Sequence, residues 1–225
     1  MKGKDHYIFG EQKLIAKDFE GAIISFSNAL KENYVHANVY FKRGWAQMKI
    51  QKYKEAIADF DKAITLEPGN ASFYSERGVT WHLMGKNSLA IIDMNKAVEL
   101  DPDYGYRYSS RGYIKDKMGD TEGGIEDYSI AIRLDPEDSI AINNLGMLQD
   151  KLGYKEEANV NYKKADELAA SNKEGNSEPF SREFQSGKVA EPSIFRRYIK
   201  LILSIFTNKN ILKDYLNFLK RGWRK

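Results

Sequence analysis

Residues 37–70 read ANVYFKRGWAQMKIQKYKEAIADFDKAITLEPGN, and this stretch decides the fold. In its second half the apolar residues are spaced by three and four, which is typical of one buried face of an α-helix. Those residues are Tyr53, Ala56, Ile57, Phe60, Ala63 and Ile64. Pro68 and Gly69 then end the helix, because proline lacks the amide proton that a helix needs. Since the residues from Ala37 to Ile50 form another amphipathic pattern, the stretch predicts a hairpin of two helices.

The same pattern recurs along the chain with a period of 34 residues. A glycine column consists of Gly10, Gly44, Gly78, Gly112 and Gly146, and a proline column consists of Pro68, Pro102 and Pro136. An alanine column consists of Ala29, Ala63, Ala97, Ala131 and Ala165, and a column of large apolar residues consists of Phe26, Phe60, Met94, Tyr128 and Tyr162. Several independent columns in register indicate a solenoid of stacked repeats.

This pattern resembles the tetratricopeptide repeat. Within 37–70 the residues that carry the resemblance are Tyr40, Arg43, Gly44, Gln47, Ala56, Phe60, Ala63 and Pro68. Arginine replaces the family's leucine at Arg43, Arg77 and Arg111. The resemblance implies an all-α fold, a right-handed superhelical solenoid of antiparallel helix pairs over residues 3–172. We assign its repeats to residues 3–36, 37–70, 71–104, 105–138 and 139–172.

The resemblance also implies a concave groove, lined by the first helix of each pair, that binds a partner segment. The groove residues that we predict are Tyr7, Phe41, Lys42, Trp45, Met48, Glu76, Val79, Leu83, Tyr106, Tyr113 and Met147. Exposed aromatic and methionine side chains suit an apolar or amphipathic peptide, with Phe41, Trp45 and Tyr113 as the main contacts. The alternative is that several of them pack as ordinary core. The lysine, asparagine and arginine clamp that the family uses for acidic C-terminal peptides is absent from the matching positions.

Catalytic chemistry finds little support in the sequence. The chain has no cysteine, which excludes disulfides, a thiol nucleophile and thiolate metal sites. Its three histidines, His6, His36 and His82, fall in different repeats without the spacing of a metal motif. We therefore expect a non-enzymatic interaction scaffold without cofactor or metal.

The charge is divided unevenly along the chain. Overall, 35 Lys and Arg against 32 Asp and Glu give a net charge of +3. Residues 193–225 hold nine basic residues and one acid, a net +8, which leaves −5 for residues 1–192. Residues 173–192 are polar and predict a linker, whereas the apolar spacing of 193–225 predicts two amphipathic helices. The main residues of this basic tail are Arg196, Arg197, Lys200, Lys213, Lys220, Arg221 and Trp223.

Three functions suit this basic tail. It could dock on its own solenoid, to cap the last repeat or regulate the groove. It could instead lie in an anionic membrane surface, which suits a basic amphipathic helix with aromatic residues. Thirdly, it could bind another protein; nucleic acid is not an expected partner. Because no signal peptide or spanning helix is evident, we expect a cytoplasmic protein, with peripheral membrane attachment as the alternative.

Overall fold

The computed structural model describes residues 2–171. Residue 1 and residues 172–225 lie outside the described part. The predicted linker and the predicted C-terminal helices, with the basic residues assigned to them, therefore lie outside the described residues. Contacts within the chain define two units, residues 1–176 and 177–225, and the described helices all belong to the first.

Ten α-helices, and no strand, make up residues 2–171, which confirms the all-α repeat fold. The first helices of the pairs are α1 (Lys2–Ile15), α3 (Ala37–Lys49), α5 (Ala71–Leu83), α7 (Gly105–Lys117) and α9 (Ser139–Lys151). The second helices are α2 (Phe19–Lys31), α4 (Tyr53–Leu66), α6 (Asn87–Leu100), α8 (Thr121–Leu134) and α10 (Lys155–Ser171). Each helix packs most closely against its neighbours in the chain, so the core runs along the array rather than through one centre.

The glycine column lies where the two helices of a pair approach each other most closely. A Cβ atom added at Gly44 would lie 3.1 Å from the carbonyl oxygen of Ala56, and one at Gly112 would lie 3.0 Å from that of Gly124. From the second helices, Phe26, Phe60 and Met94 are fully buried. Small residues therefore set the distance between the helices, and large residues fill the space between pairs.

The turn within each pair places one residue in the left-handed backbone region. Gly85, Gly119 and Gly153 adopt φ values of 74°, 91° and 88°, while Lys17 and Gln51 occupy the same place with φ values of 56° and 62°. A residue with a Cβ atom is strained in this region, whereas glycine is not.

We expect Gln51→Gly to stabilise the protein by about 1 kcal/mol, because it removes the left-handed strain. The flexibility that glycine adds to the unfolded chain offsets part of this gain. Chemical denaturation of the full chain measures it as a higher midpoint. Gln51→Ala is the matched control, since it removes the same side chain but retains the Cβ atom; an equal gain from both variants contradicts the explanation.

Candidate functional site

The first helices lie side by side along the array, since α3 contacts α5 and α5 contacts α7. We call the side of these helices that carries the predicted groove residues the groove face. Its residues differ widely in exposure, and this difference separates the packed positions from the accessible ones.

In the second repeat the groove face is buried. Phe41, Trp45 and Met48 are 7%, 8% and 7% exposed. The ring centroid of Phe41 lies 4.9 Å from that of Phe73, and the ring centroid of Trp45 lies 5.8 Å from that of Phe19. These side chains are packed as core, which is the alternative that the sequence left open. Partner binding by Phe41 and Trp45 stays a prediction.

Other predicted groove residues are partly or fully covered. Tyr7, Lys42, Val79 and Tyr106 are half-buried, and Glu76 is buried. Lys42 pairs with Glu11, and its Nζ lies 5.2 Å from the ring centroid of Tyr7. Burial, and then the neighbouring Glu11 carboxylate, raise the pKa of the Tyr7 hydroxyl well above its usual range. At this end of the groove face, Tyr7, Glu11 and Lys42 therefore contact one another.

Among the predicted groove residues, the most accessible apolar ones lie on α5, α7 and α9. Leu83, Tyr113 and Met147 are 48%, 44% and 55% exposed, and Ile140 is 64% exposed. We call these four residues the apolar strip. His82 supports it, because its ring packs edge-on against that of Tyr113 with centroids 5.2 Å apart. Ile140 and Met147 are seven residues apart on α9, a spacing that places them on one face of the helix.

An arginine ladder joins the two helices in each of the three internal repeats. It consists of the pairs Arg43–Asp59, Arg77–Asp93 and Arg111–Asp127. In every pair the Nε and Nη2 atoms of arginine donate to the two carboxylate oxygens over 2.6–2.8 Å. Each arginine also stacks on a tyrosine, such as Tyr74 at 5.6 Å from the guanidinium of Arg77. These hydrogen bonds to aspartate raise the pKa of all three arginines, so that their charge is fixed.

The ladder also connects successive repeats. The Nη1 atom of each arginine donates to a side chain of the preceding repeat: Ser27 at 3.0 Å, Asp61 at 2.6 Å and Asn95 at 3.1 Å. From the sequence these arginines are evident only as replacements of the family's leucine. The sequence does contain a pattern that could have identified their partners. Asp59, Asp93 and Asp127 recur every 34 residues, as the arginines do.

Other kinds of site find no support in the part of the chain that the structure describes. Residues 2–171 contain no group of three or more His, Asp or Glu side chains that could hold a metal ion. No helix within the same range is long and apolar enough to cross a bilayer. The apolar strip is therefore the candidate functional site.

Comparisons with known proteins identify the repeat. Residues 37–70 match one family model of the tetratricopeptide repeat, and residues 71–104 and 140–172 match a second. A search of curated proteins found no match.

Solved structures share the fold over most of the chain. A crystal structure of MamA is 26% identical with a TM-score of 0.65, and the match covers 79% of this chain and 98% of that one. A structure of MamA from Desulfovibrio magneticus RS-1 is 22% identical with a TM-score of 0.69, covering 76% and 97%. YrrB, described as a TPR protein with an unusual peptide-binding site, is 21% identical with a TM-score of 0.59, covering 72% and 84%. Together with the ten helices and their 34-residue period, these matches show that the chain is a tetratricopeptide-repeat protein.

Proposed function

We propose that this protein is a non-enzymatic scaffold for protein–protein interaction, which binds a partner segment on its groove face. The observation that carries this proposal is the apolar strip. Single exposed apolar residues are ordinary on a protein surface, whereas several on neighbouring elements are typical of an interaction site. YrrB, a repeat protein of the same fold, has a peptide-binding site.

Tyr113 tests this proposal directly. A photo-crosslinking amino acid at position 113 of the full chain is expected to couple to a partner segment in cells. The same amino acid at Glu126, an exposed residue of the second helix α8, is expected to give no such product. Equal products at both positions, or none at 113, contradict the proposal.

Met147→Asp is expected to weaken capture of that partner about tenfold or more. Burying a large apolar side chain contributes about 1.5–3 kcal/mol, and about 1.4 kcal/mol corresponds to a factor of ten in affinity. Ile92→Asp is the matched control, because Ile92 is also exposed but lies on the second helix α6. Titration of the partner against each full-chain variant measures the difference.

For the basic tail we propose a regulatory or attachment role. Its net charge of +8 is opposite in sign to that of residues 1–192, which favours capping of the solenoid or regulation of the groove. The alternative is that the protein is peripheral at a membrane and anchored by this tail, as its basic residues and Trp223 would allow.

Co-sedimentation of the full chain with anionic vesicles separates these roles. A membrane anchor predicts binding that the combined change of Arg196, Arg197 and Lys200 to glutamate abolishes. Regulation of the groove predicts instead that the same change alters crosslinking at position 113, with no vesicle binding by either form.

A further inference from the structure

We propose that the segment bound on the apolar strip is a basic amphipathic helix of a partner protein. The proposal rests on the scaffold function above and adds the chemistry of the partner. It is carried by exposed carboxylates in the turns that lead into α7 and α9.

Two acidic turns lead into the helices that carry most of the strip. Residues 101–104 precede α7 and residues 135–138 precede α9. We call these segments the acidic turns; their carboxylates are Asp101, Asp103, Asp135, Glu137 and Asp138. Ile140 lies in the first turn of α9, two residues after the second acidic turn. On α9 the strip therefore begins directly after the second acidic turn.

Part of this acidity has a structural role. The Oδ2 atom of Asp101 accepts a hydrogen bond from Arg107 at 2.8 Å. The Oδ1 atom of Asp138 caps α9 by accepting from the backbone nitrogen atoms of Ile140 and Ala141, at 3.1 and 3.0 Å. These contacts explain why acidic residues occur at these two places, because helix starts favour such caps.

Asp103 and Glu137 have no such role. Both are exposed, and neither side chain forms an ion pair or hydrogen bond with the described residues. They occupy the same place in successive repeats, where the two preceding repeats have Val35 and Gly69. The additional carboxylates therefore occur only in those turns that lead into α7 and α9, the helices that carry Tyr113, Ile140 and Met147. This coincidence points to a partner with positive charge beside its apolar face.

The dimensions of the strip favour a helical partner. Leu83, Tyr113 and Met147 lie on three successive first helices. Packed helices are spaced by about 8–10 Å, so the strip extends over about 16–20 Å. An amphipathic helix of about 11–13 residues has this length and presents apolar side chains along one side. Its lysine or arginine residues on the adjoining edge would then face Asp103 and Glu137.

A designed peptide tests this chemistry with the full chain. The probe is a fluorescein-labelled helix of leucine and lysine, about 18 residues long, with one apolar face; its matched control has glutamate in place of lysine. Fluorescence anisotropy is expected to show binding of the lysine peptide alone, and added salt is expected to weaken that binding because the carboxylates are exposed.

Charge variants of the full chain distinguish electrostatic attraction of the peptide from nonspecific binding. Asp103→Lys combined with Glu137→Lys is expected to raise the Kd about tenfold or more, since opposite charges at close range become like charges. Glu122→Lys combined with Glu126→Lys makes the same change of net charge on α8 and is expected to raise it less than about twofold. The isosteric pair Asp103→Asn and Glu137→Gln preserves the turns and should give an intermediate loss.

Four results overturn the proposal, three of them from the peptide probe. One is equal binding of the glutamate peptide, and another is an equal effect of the two double lysine variants. The third is a probe that binds only after Arg196, Arg197 and Lys200 are changed to glutamate, which would make the chain's own tail the occupant. If Met147→Asp still loses its cellular partner while the charge variants retain it, the scaffold proposal stands and the basic helix is wrong.

Discussion

Arg77→Leu is expected to destabilise the protein by about 3–5 kcal/mol, although leucine is the family's usual residue there. The side chain of Asp93 is only 6% exposed, and both of its oxygens accept hydrogen bonds from Arg77. Leucine would leave this carboxylate buried without its partner. The same change also removes the contact of Arg77 with Asp61 in the preceding repeat.

Chemical denaturation of the full chain measures this loss. The double variant Arg77→Leu, Asp93→Leu is expected to recover most of it, because apolar residues often replace a buried ion pair at little cost. Lys96→Leu is the surface control: Lys96 pairs with Glu99 at 2.7 Å, but both side chains are exposed, so a change below about 1 kcal/mol is expected. An Arg77→Leu midpoint equal to that of the wild type would show that the ladder contributes nothing.

Gly78→Leu is expected to cost more than about 3 kcal/mol, at the upper end of the effect of overpacking. A Cβ atom at this position would lie 3.1 Å from the Cε atom of Met94, 3.2 Å from the carbonyl oxygen of Ala90 and 3.2 Å from the Cβ atom of Asp93. The methionine can move, but the backbone of α6 cannot move without separating the two helices. A leucine side chain would need far more room than this first atom.

Thermal unfolding of the full chain tests the effect through a lower midpoint. Gly69→Leu is the matched control, since a Cβ atom at Gly69 meets nothing within 4 Å. Ala56→Leu should behave like Gly78→Leu, because Ala56 is fully buried in the same kind of contact. An equal midpoint for the Gly69 and Gly78 variants would mean that the helix pair is not packed as described.

The period of the sequence was sufficient to predict the helix pairs, because glycine, alanine and proline each have one structural role in every repeat. The exposed fraction of a side chain could not be predicted from the period in the same way. Trp45 and Tyr113 occupy the same place in their repeats, yet they are 8% and 44% exposed. Phe19 packs against Trp45, whereas Tyr113 packs against the half-buried His82. The period predicts on which face of its helix a residue lies. The side chains of neighbouring helices determine whether that residue is buried.

The arginine ladder was missed for a related reason. Comparison with the family's pattern treats each position separately, and at that level Arg77 is only a departure from leucine. Its meaning depends on Asp93, sixteen residues later on the facing helix. The exposed carboxylates Asp103 and Glu137 lie in the turns that lead into α7 and α9. The sequence alone does not show that these two helices carry the exposed residues Tyr113 and Met147.

The junctions of the ladder make the internal repeats interchangeable units. Ser27, Asp61 and Asn95 differ in side chain, but each accepts from the following arginine through an oxygen atom. Suppose that a second copy of residues 71–104 is inserted directly after residue 104. The arginine of that copy can then donate to Asn95 of the original repeat, as Arg111 does here. Whole repeats can therefore be added by gene duplication while the hydrogen bond from each arginine to the preceding repeat is retained.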